Sequence, residues 1–129
     1  MEKIKEKQDQ VDVVIVGTGV AGLFAALNLP RDFKIMMITK ADLESSDSFL
    51  AQGGICVLRD ESDYDSYFED TMRAGHYENR KESVDIMIRS SQSIIKQLVE
   101  YGVDFKRENG EFCYTREGGH SDSRILFHE

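Results

Sequence analysis

Three glycines near the start of the sequence have a spacing that suits the binding of a phosphate group. They form the motif G-x-G-x-x-G within VVIVGTGVAGL. The first glycine of such a motif allows a tight turn, the second lets the backbone approach a pyrophosphate, and the third lets helix and strand pack closely. Free amides at the helix start then face the anion. The alternative is a glycine-rich turn without a ligand, but the order strand, loop, helix favours a dinucleotide site. The predicted cofactor-binding residues of this loop are Gly17, Thr18, Gly19, Val20, Ala21 and Gly22.

A dinucleotide site of this kind usually has an acidic residue about 20 positions after the loop, where it binds the ribose. Here the corresponding strand ends in Thr39-Lys40, and the acid is missing. Lys40 is therefore either a solvated strand end or the mark of a subgroup that holds the adenosine half differently. In both cases an ordinary NAD enzyme is disfavoured.

The overall charge limits the kinds of partner that the chain can have. Its 16 basic and 24 acidic residues give a formal net charge of -8. Nucleic acid and anionic membranes would be repelled by this charge, so we expect neither as a partner. An anionic small substrate would need local arginines, and Arg116 and Arg124 are the candidates. For both arginines, a structural role that braces the C-terminal loop in which they lie is favoured over contact with a substrate.

The cysteines and histidines do not follow a metal-binding pattern. Cys56 and Cys113 lie far apart and outside any CxxC motif, so neither a disulfide framework nor a zinc site is indicated. His76, His120 and His128 lack the spacing of metal ligands, and we expect no metal. The sequence shows no signal peptide and no apolar stretch of membrane-spanning length. We therefore expect a soluble, cytoplasmic protein.

The glycine loop is positioned by predicted α/β structure. The run VDVVIV is typical of a strand buried on both faces, VAGLFAALNL of a helix that ends at Pro30, and FKIMMITK of a second strand. Together they predict a strand–helix–strand unit. Residues 1–10 are polar and predict a disordered tail. Residues 41–54 are rich in Ser, Asp and Gly and predict a long functional loop.

Two helices are predicted in the second half of the chain. Aromatic and apolar residues at helical spacing predict the first helix over residues 62–75. The second is predicted to begin with a capping box of Asn79 and Glu82 and to end at Gly102. Its apolar stripe is interpreted as core. The acidic run over residues 60–70 is interpreted as a solvated face.

A β-hairpin is predicted after the second helix. Asn109-Gly110 lies between two alternating segments, which is the strongest short-range hairpin signal. With 129 residues and 40% hydrophobic content, the chain is expected to form one domain or part of one. The fold class predicted is α/β, with a parallel sheet, helices and this hairpin.

The stretch DSFLAQGGI resembles the flavin-contacting loop of the succinate dehydrogenase and fumarate reductase flavoprotein superfamily. In that superfamily a lysine at the Lys40 position is usual, so the missing acid becomes a match. The resemblance implies a Rossmann-like FAD-binding domain over residues 11–129, incomplete because members are several times longer. Glycines there would let the backbone approach a flat ring, and a glutamine offers it both a donor and an acceptor. The flavin-contacting residues implied are Asp47, Ser48, Phe49, Leu50, Ala51, Gln52, Gly53 and Gly54.

The segment TREGGHS resembles the L-aspartate oxidase branch of this superfamily. Glu117 matches the family glutamate that orients L-aspartate, since a carboxylate can hold an ammonium that succinate does not possess. The resemblance implies oxidation of L-aspartate to iminoaspartate, reoxidation by oxygen or fumarate, and transfer of the product to quinolinate synthase for NAD biosynthesis. Asp47 stands where covalently flavinylated members carry a histidine, which implies noncovalent FAD. The family's acid–base arginine and the histidines that hold the substrate carboxylates would lie beyond Glu129.

Two other functions stay open at this point. One is a fumarate reductase-like dehydrogenase that carries FAD but ignores aspartate, and the residue that discriminates it is Glu117. The other is a stand-alone nucleotide-binding module. For this chain by itself, the resemblance predicts weak FAD binding or none, and no activity.

Overall fold

The computed structural model describes residues 10–51 and 53–128. These residues divide into two compact units, one within Met1–Gln52 and the other within Gly53–Glu129. The tail predicted over residues 1–10 lies, apart from Gln10, outside the described residues. In chain order the elements are β1 (Val13–Val16), α1 (Val20–Asn28), β2 (Ile35–Ile38), α2 (Asp47–Leu50), β3 (Ile55–Cys56), α3 (Tyr64–Ala74), α4 (Lys81–Glu100), β4 (Arg107–Glu108), β5 (Glu111–Phe112) and β6 (Ile125–Leu126).

The first unit contains the predicted strand–helix–strand arrangement. Strands β1 and β2 pair in parallel, with Val13 opposite Ile35 and Val16 opposite Ile38. Helix α1 connects them and ends two residues before Pro30. A carboxylate oxygen of Asp12 accepts a hydrogen bond from the Lys34 amide at 2.8 Å, which ties together the starts of the two strands. The α/β class and the parallel pairing predicted from the sequence are confirmed.

Burial of β1 on both faces was predicted, and this prediction is wrong. Side chains along the strand alternate between half-buried and exposed positions, and Val14 and Val16 are 51% and 81% exposed. The reason is that α1 packs on one face of a two-stranded sheet, and no other described element of this unit covers the second face.

The segment over residues 41–54 was predicted to be a long loop, and the structure corrects this. It contains a 3₁₀ turn at Leu43–Ser45 and the single helical turn α2. The hydroxyl of Ser46 accepts a hydrogen bond from the Phe49 amide at 3.2 Å and so caps α2. The Ser-Asp-Ser composition that indicated a loop therefore also supplies a helix cap.

The second unit is built on the packing of α3 against α4. A 3₁₀ turn at Glu61–Asp63 leads into α3, so the helix predicted over 62–75 is confirmed to within two residues. The apolar stripe of α4 lies in the core, as predicted, with Ile88 fully buried, except at Met87, which is 45% exposed. Two clusters of buried side chains make up the core: Leu58, Tyr67, Met72, Val84 and Ile88 in one, and Val57, Ile95, Phe105 and Leu126 in the other.

The predicted capping box at the start of α4 is wrong, whereas its predicted end is confirmed. Residue Arg80 occupies the N-cap position without a side-chain cap, and the Asn79 Oδ1 atom is buried without a hydrogen-bond partner among the described residues. At the other end, Gly102 has a φ of +97° and donates to the Val99 carbonyl, while Val103 donates to that of Leu98. This pair of bonds is a Schellman motif.

Short antiparallel strand pairs complete the unit. The hairpin is confirmed: β4 and β5 pair across Asn109 and Gly110, whose φ values of +53° and +87° fit a type I′ turn. Strands β3 and β6 also pair, although they are far apart in sequence, and this pairing was not predicted.

Within residues 10–51 and 53–128, no helix is sufficiently long and apolar to cross a membrane.

Candidate cofactor and substrate site

The glycine loop joins β1 to α1 in the conformation that its motif requires. Gly17 has a φ of +107°, a region that favours glycine, and its amide donates to the Ile38 carbonyl at 2.8 Å. A Cβ atom on Gly22 would lie 2.5 Å from the Gly17 carbonyl oxygen and 3.2 Å from Ile15 Cγ2. Only glycine therefore permits this close approach of the helix to the loop and the strand.

The start of α1 offers amide donors beside a buried hydroxyl. Gly19 is the N-cap and has no side chain to satisfy the first amides of the helix. The Val20 amide donates to the Ser48 hydroxyl at 3.0 Å, and this bond holds the start of α2 beside the glycine loop. The Thr18 Oγ1 atom is buried and has no hydrogen-bond partner among the described residues. A phosphate oxygen next to this loop would supply that partner.

A cavity of about 620 Å³ lies at this loop. The positive charge of Lys40 and the amide-rich helix start are both suited to an anion. Donors, cation, orphaned hydroxyl and volume therefore fit the diphosphate of a dinucleotide cofactor. Predicted site residues that line the cavity are Gly17, Thr18, Gly19, Lys40, Asp47 and Ser48.

The remaining residues of the predicted flavin loop lie in different settings. Phe49 and Leu50 belong to α2 and are 63% and 65% exposed. Gln52 lies outside the described residues. Gly54 has a structural reason to be glycine, since a Cβ atom there would overlap the Leu126 carbonyl oxygen on β6. Gly53 has a φ of +138°, which also favours glycine.

The carboxylate of Glu117 lies beside Gly53. A Cβ atom on Gly53 would be 3.7 Å from Glu117 Oε2 and 3.9 Å from Oε1. The structure thus brings together, within one unit, a glycine predicted to contact flavin and the carboxylate predicted to bind substrate. Glu117 is exposed, and its carbonyl accepts a hydrogen bond from the His120 amide at 3.3 Å.

Arg124 is fully buried in a cluster of carboxylates. Its Nη2 atom lies 2.8 Å from Asp63 Oδ1 and 2.6 Å from the Ser66 hydroxyl, and its Nη1 atom lies 2.7 Å from Asp70 Oδ2. Asp122 is a third acidic partner, at 3.4 Å. Two roles were considered for this arginine, contact with a substrate and bracing of the loop in which it lies. Its buried ion pairs show the bracing role.

The interpretation of residues 60–70 as a solvated face is wrong at Asp63 and Asp70, which are 4% and 2% exposed. Burial alone would raise the pKa of Asp70, but hydrogen bonds from Ser121 and Arg124 outweigh it and hold that pKa well below its ordinary value. Burial opposes ionisation of Asp63 in the same way, and its hydrogen bonds from Arg124 lower its pKa. A signal was available in the sequence, because Asp63, Tyr67 and Asp70 follow the i, i+4, i+7 spacing of one helix face.

His120 connects this cluster to a thiol. A guanidinium group can only donate, so His120 Nδ1 accepts from Arg124 at 3.1 Å and the ring proton lies on Nε2. Nε2 in turn lies 3.2 Å from Cys56 Sγ. Burial raises the pKa of the Cys56 thiol, and burial also raises that of the Tyr67 phenol beside it. The side chains of Cys56, Tyr67 and His120 line an apolar cavity of about 410 Å³.

The other candidate residues do not form a site. Arg116 and His76 are exposed, and no group of residues within the described ranges could hold a metal ion.

A parallel strand–helix–strand unit with a glycine loop that fits a diphosphate defines a dinucleotide-binding protein of the Rossmann type. More specifically, the chain belongs to the FAD binding domain family, whose profile matches residues 12–129. Its cofactor is therefore FAD, in agreement with the fit of the loop.

Similar proteins include L-aspartate oxidases. That of Clostridium perfringens is 43% identical over 118 residues, which are 92% of this chain and 27% of the relative. That of Clostridium acetobutylicum is 47% identical over 118 residues, with 91% and 27% covered. The chain thus spans about a quarter of the length of these relatives.

Solved structures of the succinate dehydrogenase and fumarate reductase superfamily share the fold. A variant of Escherichia coli quinol fumarate reductase FrdA superposes with a TM-score of 0.83 at 29% identity, covering 92% of this chain and 21% of FrdA. Mycobacterium smegmatis Sdh1 superposes with a TM-score of 0.80 at 27% identity, covering 90% and 20%. These findings confirm the resemblance to this superfamily and the fold class that it implied.

Proposed function

We propose that residues 11–129 are the N-terminal part of the FAD-binding domain of an L-aspartate oxidase. The enzyme would oxidise L-aspartate to iminoaspartate, with loss of a hydride from Cα and a proton from the amino group, and with oxygen or fumarate as the final acceptor. The observation that carries the proposal is the position of the Glu117 carboxylate beside Gly53. The sequence similarity to enzymes named L-aspartate oxidase supports it.

FAD, when bound, supplies the acceptor for the substrate hydride. In this chain the amides at the start of α1, the Thr18 hydroxyl and Lys40 would hold its diphosphate and adenosine half. The AQGG loop over residues 51–54 would contact the flavin ring. Asp47 cannot form the covalent histidine link of some superfamily members, so the cofactor would be held without a covalent bond.

Glu117 would select and orient the substrate. Its carboxylate can accept charge-assisted hydrogen bonds from the α-ammonium of aspartate, whereas succinate and fumarate have no such group. The approach of this carboxylate to Gly53 would place the ammonium, and therefore the adjacent Cα, next to the loop that faces the flavin. Binding of this kind contributes orientation, which is a large part of many catalytic effects.

The proposal extends to the metabolic pathway, the partners and the cellular location of the whole enzyme. Iminoaspartate would pass to quinolinate synthase in NAD biosynthesis. The net charge of -8 disfavours nucleic acid and anionic membranes as partners. We propose a cytoplasmic location for the whole enzyme.

The test compares two glutamate substitutions in the full-length, FAD-loaded enzyme. Glu117→Gln removes the charge while it keeps the size, and a charge-assisted hydrogen bond contributes about 1.5–3 kcal/mol, so kcat/KM for aspartate should fall about 10- to 150-fold. Fumarate reduction with a reduced dye should continue, because fumarate has no ammonium. Glu111→Gln, in the exposed hairpin strand β5, is the control and should leave both reactions unchanged. Equal losses in both reactions for Glu117→Gln would contradict the proposed role.

A fumarate reductase-like dehydrogenase is the second candidate, favoured by the superposition on FrdA. An FAD-loaded wild-type enzyme that reduces fumarate and does not consume aspartate would establish it in place of the first.

A further inference from the structure

One carboxylate oxygen of Asp70 holds the backbone that follows Glu117. Asp70 Oδ2 accepts hydrogen bonds from the Ser121 amide and from the Ser121 hydroxyl, both at 2.7 Å. The same oxygen accepts from Arg124 Nη1 at 2.7 Å, while Oδ1 accepts from Arg73 at 2.5 Å. With both oxygens engaged and 2% exposure, Asp70 is a fixed anchor on α3.

The segment between Glu117 and this anchor has little stiffness of its own. It contains Gly118 and Gly119, and no atom would lie within 4 Å of a Cβ at either position. Gly119 has a φ of +88°, and two long hydrogen bonds close the segment: one from the His120 amide to the Glu117 carbonyl at 3.3 Å and one from Arg116 Nη1 to the Ser121 carbonyl at 3.5 Å. Because glycine has more backbone freedom than any other residue, the direction of Glu117 depends on what fixes the ends of this turn.

The end of the turn is fixed twice by the same cluster. Ser121 binds Asp70 as described, and the His120 ring accepts from the buried Arg124 at 3.1 Å. Arg124 itself is held by Asp63 at 2.8 Å, so it cannot follow the turn if the turn moves. Among the described residues no hydrogen-bond donor holds the Glu117 side chain itself, so its direction depends on this cluster and on the longer bond from Arg116 to the Ser121 carbonyl.

We propose that Asp70 is a positioning residue for substrate binding: through Ser121 it fixes the glycine turn that directs the Glu117 carboxylate toward the substrate ammonium. The inference rests on the proposed function, since it assigns to Asp70 an effect on aspartate that acts through Glu117. Asp70 does not touch the substrate in this scheme. Its effect should therefore disappear when Glu117 no longer has a charge.

The experiment is a double-mutant cycle in the full-length, FAD-loaded enzyme. Ser121→Ala removes one of the two bonds from Ser121 to Asp70 and leaves the buried ion pairs intact, so the fold should persist. We expect it to lower kcat/KM for aspartate about three- to tenfold, through KM more than kcat, and to leave fumarate reduction unchanged. In the Glu117→Gln background the same substitution should have no further effect. Ser93→Ala, which removes a hydroxyl bond to the Ser90 carbonyl on α4, is the control and should change nothing.

A second measurement does not require turnover. Amide hydrogen exchange at His120, whose amide donates to the Glu117 carbonyl and closes the turn, should be about tenfold faster in Ser121→Ala and in Asp70→Asn than in the wild type, and unchanged in Ser93→Ala. Unchanged exchange, or an equal loss of aspartate oxidation with and without the Glu117 charge, would overturn the positioning role. A wild-type enzyme that ignores aspartate would overturn the proposed function and the substrate role of Asp70 together, whereas faster exchange would still show that Asp70 fixes the turn.

Discussion

The carbonyl oxygen of Leu126 lies directly against the Cα atom of Gly54, in the space that a side chain would occupy. This contact forms where β3 pairs with β6. The glycine is therefore required by strand pairing, in addition to any contact with a flavin.

Replacement of Gly54 by alanine should destabilise the second unit. The new methyl group would overlap backbone that cannot rotate away, and overpacking of this kind costs about 1–3 kcal/mol. Urea unfolding followed by circular dichroism would measure the loss. Gly118→Ala is the matched control, because its Cβ would meet no atom within 4 Å, and it should change stability by less than about 0.5 kcal/mol. A Gly54→Ala protein as stable as the control would contradict the packing described.

Replacement of Gly19 by valine should abolish FAD retention in the full-length enzyme. A Cβ at this position would already lie 3.0 Å from the Ser48 hydroxyl that binds the Val20 amide, and the two methyl groups of valine would enter the space beside the helix start. The ratio of flavin to protein after purification is the measurement. Val20→Ala, at a side chain 61% exposed, should keep its flavin. A yellow Gly19→Val protein with normal flavin content would refute the assignment.

Replacement of His76 by glycine should stabilise the protein. His76 follows α3 with a φ of +52°, and its amide donates to the Arg73 carbonyl in a Schellman motif that usually contains glycine. Glycine relieves the left-handed backbone strain, but it also gives the unfolded chain more conformational freedom, which lowers stability. Because the first effect is larger, the free energy of unfolding should rise by about 0.5–1 kcal/mol. Glu78→Gly, two residues later and outside the left-handed region, should lower it instead. Identical shifts in the two variants would exclude this explanation.

Stability should fall in acid because of the buried carboxylates. The pKa values of Asp63 and Asp70 are lowered in the folded state, so their contribution is complete above the ordinary pKa near 4 and is lost as pH falls through the folded values. Urea midpoints should therefore decline from about pH 4 downward. Asp70→Asn should be less stable at pH 7 and show a shallower decline, while the exposed Asp65→Asn should follow the wild type. A decline of equal steepness in Asp70→Asn would mean that other groups control the acid response.

Local signals predicted the parts of the fold that are determined locally. The glycine loop, the strands around α1, the Asn109-Gly110 turn and the helix end at Gly102 each follow from the backbone preferences of adjacent residues. By contrast, β3 and β6 have two residues each, which is too short for a periodic pattern, and their pairing joins distant parts of the chain. The false capping box at Asn79 shows that two suitable residues do not make a cap when the backbone turns differently.

The candidate site was predictable to the extent that it follows a motif. Glu117 was predicted by resemblance, but its approach to Gly53 depends on the folded second unit. The ion pairs of Arg124 required knowledge of which carboxylates the fold buries, since the acidic run alone indicates solvation. The spacing of Asp63 and Asp70 places both carboxylates on one helix face, but only the fold shows that this face packs on the buried Arg124.

The pairing of β3 with β6 also has a consequence for synthesis on the ribosome. The β1–β2 pair can close as soon as residue 38 has emerged, whereas β3 has no partner until residue 126 follows. At about 5–20 residues per second, the 70 residues from the end of β3 to the end of β6 leave β3 without its partner for roughly 4–14 s, far longer than the formation time of a helix. During that interval α3 and its two buried aspartates also lack Arg124. A nascent chain would therefore carry an unpaired strand edge together with two aspartates that lack their buried arginine, and the emergence of residues 124–126 would supply both partners at nearly the same time.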